Sequence, residues 1–314
     1  MAIDNHFMIQ KFLSRQKIIV AFCGITNMPL LVCDPDSYND QVWVFENENL
    51  LKKFAAAYIQ RKVPIRGAII PKNAFKNFYT TLFSIGANEL VYTAEGSVSK
   101  FPLEEVVKKP DYSSLPEAAR PVENPELQLT GLYFLQEFGR QVPNEEKENL
   151  QQLDEEFSVN MVRARYIVGV ELKDGPGTVA EKMARRQYSI PILKGKNGDV
   201  LQPVFSDMFE FSKFRQKRQL NAIAVPFSSL KALLIKDAKG FILNPGGFHA
   251  IMPPALLDAL SARFPEEAKK GAEEAKRIAQ TAAGVVNHAP DSQGAPAGAQ
   301  HSKVTVMPGA EERE

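Results

Sequence analysis

Asp207 and Asn244 are the polar residues whose surroundings most invite chemistry. Asp207 closes the run Pro203-Val204-Phe205-Ser206-Asp207, and Asn244 opens Asn244-Pro245-Gly246-Gly247. Both follow apolar stretches of strand type, so both are expected where strands end, on one side of a sheet. There a carboxylate, an amide and the backbone N–H groups of glycines and a helix start could hold an anionic or peptide ligand. The same residue types have structural uses. Asp207 with Glu210 three residues on has the spacing of a helix cap and its reciprocal partner. Asn-Pro-Gly is a tight turn whose residues follow from backbone geometry. Phe205, Asp207, Asn244, Pro245 and Gly246 form the candidate set for binding a ligand or partner.

No catalytic constellation assembles around them. His249, two residues past Gly247, stands without a neighbouring base or nucleophile and reads as a surface residue. Neither G-x-S-x-G nor H-E-x-x-H occurs. Gly175-Pro176-Gly177 follows a strand-like run but lacks the G-x-G-x-x-G or G-K-[ST] continuation of a phosphate cradle. Asp34, Asp36 and Asp40 begin like a calcium loop. Asn39 stands where the sharp turn needs glycine, and Phe45 where a bidentate glutamate is needed, so a polar turn is expected. Cys23 and Cys33 show no C-x-x-C spacing and read as reduced thiols beside a core. No catalytic residue, metal or cofactor is assigned, and the chain is not expected to be an enzyme.

What must position the candidate set is a pair of domains. The chain has 314 residues, 44% hydrophobic and 24% charged, an ordinary balance for soluble globular structure. No apolar run approaches the roughly 18 residues of a membrane span. The start, MAIDNHFMIQKFLSRQ, lacks the apolar region of a signal peptide, which points to the cytoplasm. Charge is uneven. Residues 157–262 hold 15 Lys+Arg against 8 Asp+Glu, a net of +7, whereas residues 111–156 hold 3 against 11, a net of −8. The opposite signs favour contact between these segments, or an acidic partner competing for the basic face.

In chain order, KIIVAFC and MPLLV are expected as a hairpin turning near Gly24, followed by a strand at Val42–Phe45. Asn47 should cap a helix with Leu51, Phe54 and Tyr58 on one face. A strand ends at Pro71, and Phe75, Phe78, Tyr79 and Leu82 make a helical core stripe. Residues 111–126, rich in Pro and acidic residues, read as a linker. Pro125 starts a helix ending near Gly139, and Asn144 should cap another carrying Leu150, Leu153, Phe157 and Met161. In the second domain, Met208, Phe211 and Phe214 should face inward, with Ser228 capping the next helix. Beyond Pro265 an exposed helix with a thin apolar stripe is expected, and from Val285 a disordered tail. The boundaries are 1–110, 111–156, 157–262, 263–284 and 285–314.

The halves align in their core positions. Pro29 matches Pro191, Phe45 matches Phe205, Phe54 matches Phe214, and Pro71 matches Pro226. The fold class expected is α+β, with two similar domains whose mixed sheets are covered by helices. The order I-P-I-L, G-D-x-x-x-P-V-F-S-D-x-x-E, V-P-F and G-F-I-L-N-P-G-G over residues 157–262 resembles the SseB protein N-terminal domain, named for enhanced serine sensitivity. The first half resembles a diverged copy that keeps the phenylalanines but lacks the Asp and the Asn-Pro. The resemblance implies a small bacterial α+β domain without an established enzymatic activity, and it carries no catalytic residues over.

Three functions follow. The first is a non-catalytic interaction or regulatory module with protein partners. The second is a small-ligand sensor or enzyme using the rim of Asp207 and Asn244. The third, nucleic-acid binding by the basic domain, would need Arg185, Arg186, Arg215 and Arg218 on one face beside exposed aromatics, and inward aromatics count against it. On the rim reading, Asp207→Asn and Asn244→Asp are expected to leave stability nearly unchanged.

Overall fold

Near-continuous apolar runs in KIIVAFC, DQVWVF and ELVYTA build the first sheet of the computed structural model, which describes residues 5–178, 181–182, 185, 187–195, 197–215, 218–285 and 305–306. The described chain divides into two units, residues 5–111 with 128–153 and 305–306, and residues 112–127 with 154–285. The secondary structure mixes helices with parallel and antiparallel strands, an α+β fold.

The first unit runs α1 (Asn5–Leu13), β1 (Lys17–Cys23), β2 (Leu31–Cys33), β3 (Asp40–Phe45), α2 (Glu48–Gln60), β4 (Ile65–Pro71), α3 (Phe75–Ser84), β5 (Glu89–Ala94), β6 (Ser97–Pro102) and α4 (Leu103–Val106). Its strand order is β4-β1-β3-β5-β6, with β2 beside β3 and Thr305–Val306 beside β4. β3 and β5 are parallel, and β1 is antiparallel to both neighbours. Side chains alternate across a strand. Ile19, Ala21 and Cys23 therefore meet Phe45 and Leu51 under α2. Val44 and its partner Tyr92 point the other way, where Phe12, Tyr79, Tyr92 and Phe101 form an aromatic cluster. Asn47 caps α2, its side chain accepting from the Leu50 N–H at 3.1 Å.

Two local expectations change. The turn near Gly24 forms, with the Cys23 N–H on the Met28 carbonyl and the Leu30 N–H on that of Ala21, both at 2.9 Å. The chain then leaves β1, whose two edges are taken by β3 and β4, and pairs with β3 instead. Asn144 begins only a single 3-10 turn. The Glu137 carboxylate accepts the Glu148 N–H at 2.7 Å and holds the loop open, so the helix starts at Leu150 after left-handed Asn149.

α5 (Pro125–Phe138) and α6 (Leu150–Arg163) lead to β7 (Arg165–Leu172), β8 (Tyr188–Ser189), β9 (Leu193–Lys194), β10 (Val200–Val204), α7 (Met208–Arg215), β11 (Asn221–Pro226), α8 (Phe227–Leu233), β12 (Gly240–Leu243), β13 (Ala250–Met252), α9 (Pro254–Arg263) and α10 (Pro265–Val285). β11 pairs antiparallel with β7, β10 pairs in parallel with β12, and β13 pairs antiparallel with β12. Ile167 and Phe205 join β7 to β10 through two backbone bonds of 2.8 and 3.0 Å. The order is thus β11-β7-β10-β12-β13, with β9 beside β10. It repeats the first unit's order element by element. Ile19 lies opposite Phe45 as Ile167 lies opposite Phe205, and Lys17 opposite Pro71 as Arg165 opposite Pro226.

Ser228 lies inside α8, whose cap position is Pro226 and carries no side-chain bond. The stretch expected as a linker contributes Val122 to the cluster of Ile167, Phe205, Phe211 and Leu220. α10 is not simply exposed. Its small-residue stripe packs inward, Gly271 lies over the Val162 carbonyl, and Ile278 is buried. Of the tail, only Val285 and Thr305–Val306 fall within the described residues.

Candidate functional site

β10 and β12 are parallel neighbours, Val204 opposite Leu243, so the segments bearing Asp207 and Asn244 leave the sheet at the same end. The Asn244 N–H extends the ladder to the Val204 carbonyl at 2.9 Å. Asn244 then adopts the left-handed conformation, φ 50°, which asparagine tolerates through local hydrogen bonding. Its carbonyl accepts the N–H groups of Gly247 at 2.8 Å and His249 at 3.1 Å, which closes the turn.

The side chains bind one another. Asn244 Oδ1 accepts the Ser206 N–H at 2.9 Å, and Asn244 Nδ2 donates to Ser206 Oγ at 2.8 Å. Ser206 Oγ donates to Asp207 Oδ2 at 2.7 Å. Asp207 Oδ1 accepts the N–H groups of Phe209 and Glu210 at 2.8 and 2.9 Å, capping α7. Asn124 Nδ2 donates to the carbonyls of Arg165 and Ser206. Ser206, Asp207 and Asn244 are all buried, so this network ties the ends of β7, β10 and β12 together within the protein. Burial pushes the Asp207 carboxyl above its ordinary value, against the donors that favour its ionised form.

Glu210 is buried below the turn and pairs with Lys213, while its Oε2 has no hydrogen-bond partner among the described residues. Burial also raises its carboxyl, with Lys213 opposing the shift. The turn fits over this carboxylate because residue 247 is glycine. A Cβ there would stand 2.9 Å from Oε2.

Of the five candidate residues, Phe205, Asp207 and Asn244 are buried, Pro245 is half-buried and Gly246 is exposed. Phe205 packs edge-to-face on Phe211, ring centroids 5.3 Å apart, and against Phe214 at 5.2 Å. Gly169 lets the Phe211 ring lie against β7, where a Cβ would come within 2.9 Å of it. The surface of the rim is made by other residues. Phe209, 38% exposed, lies under the Lys213 ammonium, 4.5 Å from the ring centroid. Gly246 rests on the Lys213 stem, and His249 is exposed beside the turn.

Sequence reasoning passed over Ser206, Asn124, Gly247 and Phe209. Ser206 stood inside the quoted motif and is polar at a strand end, a usable signal. Asn124 is 82 residues from Ser206 and carries no local sign of the contact.

Elsewhere several polar side chains are committed to partners. A hollow of about 540 Å³ in the first unit is lined in part by Tyr58, Arg61, Tyr133, Gln136 and Glu148. There Arg61 pairs with Glu148, Tyr133 donates to Asp40, and Gln136 bonds both backbone groups of Leu31. Asp34 accepts from the N–H groups of Asp36 and Ser37 and pairs with Lys100, which holds its carboxyl well below the usual range. That is the polar turn expected. Phe205 and Phe211 point inward in the basic unit, Arg218 stacks over Phe214, and Arg186 lies outside the described residues. Among the described residues no helix is long and apolar enough to cross a membrane.

No curated protein and no solved structure matches the chain. A family model does, over the stretch that contains the whole β7–β13 sheet and the network joining Ser206, Asp207 and Asn244. Residues 145–259 match the model of the SseB protein N-terminal domain.

Proposed function

We propose that this protein is a non-catalytic interaction or regulatory module of the cytoplasm, and that the second unit meets its protein partners through Phe209, Pro245 and Gly246. The observation carrying this reading is the exposed Phe209 ring under Lys213, beside a turn whose polar side chains are consumed internally. Aromatic residues are enriched in the cores of protein interfaces. In the register that aligns Phe45 with Phe205, the first unit has Asn49 and Leu50 where the second has Phe209 and Glu210. The exposed aromatic and the buried carboxylate under the turn therefore belong to the second unit.

The first unit is, on this reading, a diverged copy that keeps the core without the face. The common strand order supports it. So do the ring pairs, Phe45 with Phe54 at 5.1 Å and Phe205 with Phe214 at 5.2 Å, both tilted.

A photo-crosslinking residue at Gly246 tests the proposal in the native cell, because a Cβ there makes only ordinary contacts. It should capture a discrete partner that the same residue at exposed Val98 of the first unit does not. Identical capture at both positions would contradict the proposal.

A further inference from the structure

The second unit holds a hollow of about 330 Å³ between the start of β7, the stretch before α5, and α10. Its size falls in the range of small-molecule sites. Three guanidinium groups line it, those of Arg120, Arg163 and Arg165. Arg163 is neutralised by Glu267 at 2.8 Å. Arg120 is oriented by the carbonyls of Leu115 and Ser113, each at 3.0 Å, which fix the group without cancelling its charge. Arg165 Nε is itself enclosed by protein, without a hydrogen-bond partner among the described residues. Neither Arg120 nor Arg165 is in an ion pair among the described residues.

A guanidinium with no carboxylate partner leaves a charge that an anion in the hollow would balance. The guanidinium fork matches carboxylate and phosphate oxygens in geometry as well as charge. The walls narrow the class further. Val122 and Ile278 are buried apolar neighbours. Glu117 is compensated by Arg277 at 2.8 Å, and Glu274 is an exposed carboxylate of the same hollow. It repels a polyanion and tolerates one compact anionic head.

We propose that this hollow binds a small organic molecule with a single carboxylate or phosphate head, gripped by Arg165 and Arg120, with a short uncharged body against Val122 and Ile278. The site is separate from the Phe209 face. Its occupant would lie one side chain from the Ser206 network, since Asn124 lines the hollow and bonds the Ser206 carbonyl.

Calorimetric titration of the full chain with propionate and, separately, with methyl phosphate tests this, using chloride at equal ionic strength as control. Saturable binding of at least one probe is expected, and the two arms say which head is preferred. Arg165→Gln should weaken it at least tenfold, and Arg120→Gln should weaken it as well. Lys231→Gln, at an exposed ion pair elsewhere, should not. If Arg165→Gln fails to fold by circular dichroism, Arg165→Lys keeps the charge without the fork and should still bind several-fold more weakly. Absence of saturable binding to the wild-type chain, or equal affinity in the folded Arg165 variant, would overturn the proposal.

Discussion

At the scale of residues, Asp207 shows how a side chain that looks available can be spent. It caps α7 through two N–H groups and receives the Ser206 hydroxyl, with 2% of its surface exposed. Its folded-state carboxyl is raised by burial above the ordinary 3.8. The folded chain therefore holds that proton more tightly than the unfolded chain. Wild type should gain stability relative to Asp207→Asn as pH falls from 7 through the raised value toward about 4. Asparagine also caps, so near neutral pH the exchange should be mild. Urea melts of both proteins across this range decide it, and a difference that is constant or moves the other way contradicts the burial argument. The cap by Asp207 was legible in the sequence, but the reciprocal bond expected of Glu210 does not form, because its carboxylate pairs with Lys213 instead. The closed network was not legible, because it depends on Asn124 and Asn244, which reach Ser206 only through the fold.

Elements explain why the network sits where it does. β10 and β12 are parallel, so their ends deliver Ser206 and Asn244 side by side, and Phe205 ties β10 to β7 while filling the space under α7. Phe205→Ala should cost about 3–5 kcal/mol through lost burial and a cavity. The equivalent change at half-buried Phe214 should cost less. A urea-melt change under about 1 kcal/mol for Phe205→Ala would contradict its place in the core. The apolar strand runs and the aromatic helix stripes were legible because such patterns are local in the sequence. The pairing of β2 was not, because it turns on which edge of β1 remains open. Nor was the start of α6, where a tertiary bond from Glu137 outweighs the capping tendency of Asn144. The docking of α10 was missed because alanine and glycine make close packing without an apolar signal.

At the scale of the whole molecule, two units of the same strand order carry unequal surfaces. Phe45 and Phe205, and Pro71 and Pro226, stand at corresponding places in the strand pairings, which supports the proposed diverged copy. What distinguishes the second unit is the rim, where shape and surface come from different residues. Asn244→Asp replaces a buried donor to Ser206 Oγ by a carboxylate, so it should cost about 1–3 kcal/mol rather than leave stability unchanged. Lys213 is unsuited to a surface test, since its loss would leave the Glu210 carboxylate buried alone. Phe209→Ala is the decisive variant. Crosslinking from Gly246 in the cell, with urea melts of the same proteins, tests the central claim. The account predicts that Phe209→Ala abolishes partner capture while costing under about 1 kcal/mol, the order of an exposed cation–π contact. Asn244→Asp should lose capture only as far as it loses folded protein. Undiminished capture by Phe209→Ala would contradict the claim that this face is where the domain meets its partner.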